Sequence, residues 1–234
     1  MAEIAVGTNN QTFQVIFDTG NIKLNHNKID VFHFLGSDDI LINSELCLTP
    51  DCVTGKQYKG EVHYPFMREF VFGSGIIVGV LSKADFYLNK TEIKDVLFYE
   101  VLAEMDMISE DNDMDGIIGL GLGHYKATPN FVEYLVRQEH ISNLFSVYLN
   151  RKEDSNKSKI IFGGIQKKFF KGTPKYYNVK DKNYWAIEME GVFVGNNDTG
   201  LCSKRNKCKA IIDTGTSFIA SATSNVIQIA SLKT

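Results

Sequence analysis

The chain has 234 residues, of which 44% are hydrophobic and 23% are charged, and its formal net charge is −3. This size suits one large domain or two lobes, and the composition is typical of a folded globular protein. The near-neutral charge offers no basic surface to a nucleic acid, and no apolar run is long enough to span a membrane. The start, MAEIAVGT, lacks the basic and apolar regions of a signal peptide, so none is predicted in this chain.

Short apolar or alternating runs dominate the chain and predict a mostly β fold. In chain order they are EIAVG, TFQVIF, EFVFG, GIIVGVL, DVLFYEVL, LFSVYL, KIIFGG, YWAIEMEGVFV and KAIID. Gly, Asn, Asp or Ser bounds these runs, as is typical of strands. Polar runs such as RKEDSNKSK and CSKRNKC predict hairpin tips and surface loops.

Two short helices are predicted among these strands. The first follows Thr128 as its cap and has Pro129 in its first turn, which is where a helix tolerates proline. The second begins near Ser224, and its Val226, Ile227 and Ala230 are expected to face inward.

Four cysteines form two close pairs in the sequence, Cys47 with Cys52 and Cys202 with Cys208. Zinc sites use shorter gaps and a matching pair nearby, so two local disulfides fit the spacing better. Disulfides would indicate an oxidising compartment. Four unpaired buried thiols are the alternative.

The tripeptide Asp-Thr-Gly occurs three times, at Asp18, Asp198 and Asp213. In VIFDTG and AIIDTG the aspartate follows a buried strand, where a charge is costly unless it is paired or hydrogen-bonded. In GNNDTGLC it follows turn-forming asparagines, so Asp198 is interpreted as a surface hairpin residue. The two strand-end copies indicate an internal duplication that brings two turns face to face. The alternative is that each aspartate only satisfies its own turn.

Facing turns would place the Asp18 and Asp213 carboxyl groups a few ångströms apart. Ionising both groups at this distance costs free energy because the two negative charges repel each other, so the groups share one proton. The ionised carboxylate can then act as a general base on a water between them, while the protonated one polarises a carbonyl. The glycine of each tripeptide permits the tight turn, and the threonine can hydrogen-bond across to the opposite loop.

The chain resembles the pepsin-like aspartic proteases from Ile4 to about Ser224. The matching stretches are EIAVGTNNQTFQVIFDTG, the Cys47–Cys52 spacing, GSGIIVGVLS, MDGIIGLGLG, LFSVYLN, IIFGGI, YWAIEMEGV and CKAIIDTGTS. Loops rich in asparagine and lysine are most similar to the plasmepsin-like branch. The resemblance implies a mostly β, bilobal pepsin-like acid protease fold, with an N-terminal lobe over 1–150 and a partial C-terminal lobe over 151–234.

The resemblance also implies roles for individual residues. Asp18 and Asp213 are expected to be the catalytic pair, and the expected catalytic-loop support is Thr19, Gly20, Asn21, Thr214 and Gly215. The residues expected to form the flap and bind substrate are Phe72, Gly73, Ser74, Gly75 and Thr216. The expected partner is an extended peptide or protein substrate, read by backbone hydrogen bonds and side-chain pockets.

The chain departs from the family pattern at the flap and beyond the second tripeptide. Phe72 stands where the family usually has a tyrosine, and Asn25 corresponds to the tryptophan that usually bonds to that tyrosine. Asn21 replaces a serine that usually hydrogen-bonds the first catalytic aspartate. A second hydrophobic-hydrophobic-glycine motif is expected after Gly215 but does not occur, so the second lobe is expected to be incomplete.

Two other motifs do not meet their templates, so no metal and no cofactor is expected. DNDMDG, residues 111–116, starts like a calcium loop, but Leu122 stands where a bidentate glutamate is needed. These acids are instead expected in a solvated loop before a buried strand. GLGLG, residues 119–123, lacks the last glycine of a dinucleotide loop because His124 stands there.

Three functions remain open from the sequence. The favoured one is a monomeric aspartic endopeptidase of the secretory pathway, in an acidic vacuole, a lysosome-like compartment or outside the cell. The second is a catalytically impaired peptide-binding paralogue, motivated by Phe72, Asn25, Asn21 and the short second lobe. The third, a nucleotide-binding α/β enzyme, rests on GLGLG alone and conflicts with the strand-rich pattern.

Overall fold

The structure is a computed structural model, and it describes residues 1–20, 39–49, 56–60, 64–72, 75–105, 114–122, 129–150, 158–182 and 184–232. The strands in these ranges are β1 (Ala2–Val6), β2 (Gln11–Asp18), β3 (Ile40–Asn43), β4 (Met67–Phe72), β5 (Gly75–Leu88), β6 (Thr91–Met105), β7 (Gly116–Gly119), β8 (Phe145–Tyr148), β9 (Lys159–Phe162), β10 (Ala186–Met189), β11 (Phe193–Val194), β12 (Asn197–Asp198) and β13 (Cys208–Ile211). The helices are α1 (Phe131–Glu139) and α2 (Thr223–Ser231), with a short 3-10 turn at Lys167–Phe169. The predicted mostly β class is confirmed.

The first seven strands form one sheet in the order β1-β2-β7-β3-β6-β5-β4. β1 also pairs with β5, so the sheet curls back on itself like a barrel. β2 and β7 run parallel, and their register sets Asp18 opposite Gly119. The end of β2 is therefore held from the side by a second buried strand.

An apolar core lies between this sheet and α1. Alternate residues of β1, β2 and β3 point into it, as the period of two requires, and they meet the apolar face of the helix. Phe86 and Phe98 are fully buried and meet edge to face with their ring centroids 5.3 Å apart. Burial of each such side chain stabilises the fold by about 2–3 kcal/mol. The core makes the first part of the chain a firm support for Asp18.

The first helix begins later than its sequence signals predicted. Asn130 is the cap, and its side-chain oxygen accepts from the Glu133 backbone N–H at 2.9 Å. Pro129 therefore precedes the cap, and the prediction that it belongs to the first turn was wrong. Thr128 lies outside the described residues. The asparagine carbonyl can satisfy one of the free N–H groups at a helix start, which makes Asn130 a cap in its own right.

Beyond residue 184 the described strands form only two-stranded pairs, β10 with β13 and β11 with β12. The run YWAIEMEGVFV is therefore two strands, since β10 ends at Met189 and β11 begins at Phe193. The β11–β12 hairpin confirms the surface position predicted for Asp198, whose carboxylate accepts from the Gly200 N–H at 2.9 Å.

The second helix is present where it was predicted, but its apolar residues do not face inward. Val226 is 46% exposed and Ile227 is 63% exposed, and neither is part of an apolar core. The helix instead contacts the turn at Thr199 through Gln228, whose amide donates to the Thr199 carbonyl at 2.6 Å. The prediction that Val226, Ile227 and Ala230 face inward was wrong because a polar side chain makes this contact.

Asp115, in the stretch expected to be a solvated acidic loop, is buried. Its carboxylate accepts from the backbone N–H of Gln14 at 2.7 Å and from that of Lys56 at 2.8 Å. It therefore ties two segments of the chain together in front of β7. Residues 111–113 of the same stretch lie outside the described residues.

Candidate active site

Two strands from distant parts of the chain end at the same place. Asp18 is the last residue of β2, and its carbonyl accepts from the Leu120 N–H at 2.7 Å. Asp213 follows β13 by two residues, and the intervening Ile212 donates its N–H to the Trp185 carbonyl at 3.0 Å. Each aspartate thus leaves a hydrogen-bonded strand and enters an Asp-Thr-Gly turn.

The two threonines of these turns exchange hydrogen bonds in a reciprocal pattern. The Thr19 N–H donates to the Thr214 hydroxyl at 3.1 Å, and the Thr214 N–H donates to the Thr19 hydroxyl at 2.9 Å. The Thr19 hydroxyl donates in turn to the Ile212 carbonyl at 2.9 Å, and the Thr214 hydroxyl donates to the Phe17 carbonyl at 2.6 Å. The four bonds lock the two turns together.

The two carboxyl groups face the opposite turns. Each aspartate accepts from the N–H of its own glycine at 2.7 Å, Asp18 from Gly20 and Asp213 from Gly215. A methyl group added at Gly20 would lie 2.5 Å from Asp213 Oδ2, and one added at Gly215 would overlap the Asp18 carboxylate. Glycine is required here because any side chain would occupy the space of the other turn's acid. The structure thus brings the two predicted aspartates together.

The environment of Asp18 favours its protonated form. Burial is the largest cause, and the Asp213 carboxyl group adds charge repulsion and a side-chain hydrogen bond that act in the same direction. The Gly20 and Gly215 N–H groups oppose the change, and the net result raises the pKa of Asp18 to about 6. A carboxyl group that keeps a proton beside a second acid is what a shared-proton pair requires.

Asp213 has a second hydrogen-bond donor in its own turn. The Thr216 hydroxyl donates to Asp213 Oδ2 at 2.7 Å, while the Gly215 N–H occupies the other oxygen. Two donors on separate oxygens suit a carboxylate. Thr216 was expected to bind substrate, and here it contacts the acid. Asn21, the corresponding residue of the first turn, lies outside the described residues.

Two of the residues predicted for the flap, Phe72 and Gly75, belong to a hairpin of β4 and β5. Phe72 pairs with Gly75 at its end, while Gly73 and Ser74 lie outside the described residues. The buried residues Phe70 and Ile77 on the hairpin pack with Leu41 of β3. The run ILIN was not identified as a strand from the sequence, although its apolar residues were a sufficient signal. Asn25, at the position of the family's flap partner, lies outside the described residues.

The sequence predicts no role for Trp185, the sole tryptophan of the chain. Its indole N–H donates to the Leu120 carbonyl at 2.8 Å, and its ring meets Phe145 edge to face. Leu120 is also the donor to the Asp18 carbonyl. Trp185 therefore links the segment that carries the second aspartate to the segment that braces the first.

A cavity of about 780 Å³ borders the two locked turns. Thr19, Thr214 and Ile212 line it from the turns, and Trp185 and Phe145 contribute aromatic surface. Its described lining includes neither Asp18 nor Asp213.

One predicted disulfide is present. Cys202 and Cys208 are joined, with their Cα atoms 5.6 Å apart. Cys47 is also disulfide-bonded, but Cys52 lies outside the described residues, so the Cys47–Cys52 pairing stays a prediction. Within the described ranges, no helix is long and apolar enough to cross a membrane.

The comparisons with known proteins agree over nearly the whole chain. The family model for eukaryotic aspartyl proteases matches residues 1–233. Procardosin-B from Cynara cardunculus is 32% identical over 97% of this chain and 43% of its own length. Phytepsin from Hordeum vulgare is 32% identical with the same coverage, and cathepsin D from Gallus gallus is 30% identical over 97% of this chain and 55% of its own. The chain thus spans about half the length of the curated relatives it matches. The plasmepsin-like branch stays a prediction.

Proposed function

The chain belongs to the eukaryotic aspartyl protease family, and from this premise we propose that it acts as an aspartic endopeptidase with Asp18 and Asp213 as its catalytic pair. The observation that carries the proposal is the reciprocal threonine lock, which sets each carboxyl group against the glycine of the opposite turn. That arrangement places the two carboxyl groups side by side, so that they can share a single proton.

In the proposed first step, Asp213 is the general base. It takes a proton from a water held between the acids, and the water oxygen forms a bond to the carbonyl carbon of the peptide. Asp18 gives its proton to the carbonyl oxygen as the C=O double bond opens, which produces a tetrahedral diol. The raised pKa of Asp18 supports this role, and the two hydrogen bonds to Asp213 suit a carboxylate base.

In the second step the roles reverse. Asp213 returns its proton to the amide nitrogen, and Asp18 takes the proton of one diol hydroxyl. The C–N bond then breaks to release a carboxylic acid and an amine, and the starting protonation state is restored. No outside oxidant or cofactor is needed for this balance.

We propose an extended peptide as the substrate, covered by the flap hairpin of β4 and β5. The peptide would be read by backbone hydrogen bonds of the kind that strands make, together with side-chain pockets. The names of the relatives, among them aspartic proteinase A1 of Arabidopsis thaliana, support this substrate class by family membership.

The alternative is a catalytically impaired peptide-binding paralogue. Phe72 has no hydroxyl with which to hold a flap, and Asn21 replaces the usual serine. Both aspartates and both threonines are nevertheless retained in bonding geometry, which favours the enzyme.

The deciding experiment measures hydrolysis of denatured globin by the natural polypeptide between about pH 3 and pH 8, with and without a statine-containing peptide. We expect cleavage that the statine peptide blocks and that declines above about pH 6, because Asp18 then loses the shared proton. Binding of the statine peptide without any cleavage would identify the impaired paralogue. Cleavage that the statine peptide does not affect would overturn the proposed mechanism.

We further propose two lobes, 1–150 and 151–234, a monomeric state and passage through the secretory pathway. The seven-stranded sheet lies wholly in the first range, and the hairpin of β8 and β9 spans the junction. The Cys202–Cys208 disulfide supports an oxidising compartment. Chromatographic mass and the redox state of the purified natural protein would test the last two proposals.

A further inference from the structure

We propose that the ion pair between Arg68 and Asp39 positions the flap hairpin over Asp18. The inference rests on the proposed function, since a flap has a role only if a peptide is bound beneath it. It assigns a positioning role to two residues that the sequence motifs did not single out.

Arg68 lies on β4, and its guanidinium group contacts one carboxylate and two aromatic rings. Its Nη1 donates to Asp39 Oδ2 at 2.9 Å, and the exposed fractions of the two side chains are 25% and 11%. Its guanidinium carbon stands 5.2 Å from the ring centre of Phe70 and 5.9 Å from that of Tyr99. Such a planar cation, stacked on rings and bonded to a mostly buried carboxylate, is better fixed than a surface ion pair.

Asp39 connects this cation to the catalytic strand. Its carbonyl accepts from the Gly119 N–H at 2.9 Å, and Gly119 is the residue of β7 that lies opposite Asp18. The adjacent Leu120 N–H donates to the Asp18 carbonyl. A short series of hydrogen bonds thus runs from the arginine on β4 to the backbone of Asp18.

The hairpin also packs against β3 and β6 through apolar contacts. Phe70 and Ile77 meet Leu41 and Val101, which gives adhesion but little angular control because apolar contacts are not directional. Phe72, at the end of β4, has no hydroxyl with which to make a directional bond. A charged, planar hydrogen-bond donor earlier on the same strand can supply that direction.

The test replaces each partner without changing its size much, using Arg68→Met, Asp39→Asn and the double variant in the natural polypeptide. KM and kcat are measured with a peptide substrate, binding is measured with a statine-containing peptide, and hydrogen exchange is followed in residues 67–81. We expect KM to rise about 5–10-fold, kcat to change less than about 2-fold, and exchange to increase across the hairpin. The double variant should be less impaired than the sum of the two single losses, because both substitutions remove the same ion pair.

A matched control is the ion pair of Lys83 with Asp95, which joins β5 to β6 at 2.8 Å but is well exposed. Lys83→Met and Asp95→Asn remove charges of the same two signs from the same sheet. We expect both control variants to keep the wild-type KM and the wild-type exchange in residues 67–81.

Several outcomes would overturn the inference. One is equal KM and exchange in the Arg68 and Lys83 variants, and another is a lower thermal midpoint with unchanged KM and unchanged local exchange. If the wild-type protein binds the statine peptide but cleaves nothing, the proposed function fails while the exchange measurement and the peptide affinity still decide the role of Arg68. If cleavage is normal and Arg68→Met is silent, only the positioning role fails.

Discussion

The two Asp-Thr-Gly turns make the same bonds to each other but have different surroundings. The first leaves a strand of the seven-stranded sheet, and its Thr19 is only 5% exposed. The second leaves a strand that has a single partner in the described structure, β10, and the neighbouring Phe218 and Ile219 are 84% and 94% exposed. The comparison separates two effects: the turn sequence sets the local bonding, and the depth of the surrounding sheet sets burial.

Burial in turn decides how firmly Asp18 keeps its proton. Desolvation is the largest cause of the raised pKa of Asp18, and it acts because that turn is backed by the large sheet and its core. The same tripeptide at Asp198 lies on an exposed hairpin, where Asp198 pairs across the strands with Phe193. An identical sequence therefore has three chemical environments in one chain.

The largest effect is expected from removing either acid. Asp18→Asn and Asp213→Asn should each lower kcat at least about 1,000-fold, because the asparagine amide that replaces the carboxyl group cannot share or transfer the proton. Turnover of a peptide by the natural polypeptide is the measurement. Asp198→Asn, which alters the exposed third copy, is the matched control and should leave the rate unchanged. A similar loss in all three variants, or in none, would show that the two strand-end copies are not functionally distinct.

The next effect concerns the pH dependence of stability. Since the folded pKa of Asp18 is about 6 and its ordinary value is 3.8, the folded state holds the proton more tightly than the unfolded state. This contribution to the free energy of unfolding is about 3 kcal/mol. It is complete below about pH 4 and is lost as the pH rises through about 6.

Denaturant titrations of wild type and Asp18→Asn at about pH 4, 5, 6 and 7 would measure it. The difference in unfolding free energy between the two proteins should change over this window and level off above it. Asp198→Asn serves again as the control, because its pH profile should follow that of the wild type. A constant difference for Asp18→Asn would contradict the assigned pKa.

A smaller difference is expected between the two locking threonines. Thr214→Val should lower the free energy of unfolding by about 2 kcal/mol, because it leaves the Thr19 N–H and the Phe17 carbonyl of the deeper turn without their partner. Thr19→Val should cost about 1 kcal/mol, since the groups that it leaves unpaired, the Thr214 N–H and the Ile212 carbonyl, lie in the turn closer to solvent, where water can replace the lost bonds. Thr19→Ser and Thr214→Ser keep the hydroxyl and are the controls. Equal costs for the two valine variants would mean that depth does not distinguish the turns.

The smallest effect is expected where the two regions are joined by Trp185. Trp185→Phe removes the hydrogen bond to the Leu120 carbonyl but keeps an aromatic ring against Phe145, so it should cost about 1 kcal/mol of stability. Urea unfolding followed by circular dichroism would measure this change without relying on tryptophan fluorescence. Tyr148→Phe, which keeps an aromatic ring stacked on Phe169, is the matched control and should change stability less. A loss of several kcal/mol in Trp185→Phe would show that the regions depend on this contact far more than the described bonds indicate.

Much of this protein could be predicted from the sequence because the relevant signals are local. Alternating apolar residues predict most strands, and the flanks of each tripeptide separate Asp18 and Asp213 from Asp198. The spacing of Cys202 and Cys208 predicts their bond, which the structure contains. Such features depend on neighbours within a few residues, which the chain order preserves.

The tertiary structure decided what depends on distant residues. It buried Asp115, exposed Val226 on α2, and placed Asp39 between Arg68 and Gly119. It also gave two identical turns different depths, and hence raised the pKa of the Asp18 carboxyl group. Desolvation and long-range hydrogen bonds depend on groups that lie far apart in the chain, so no local sequence pattern can specify them.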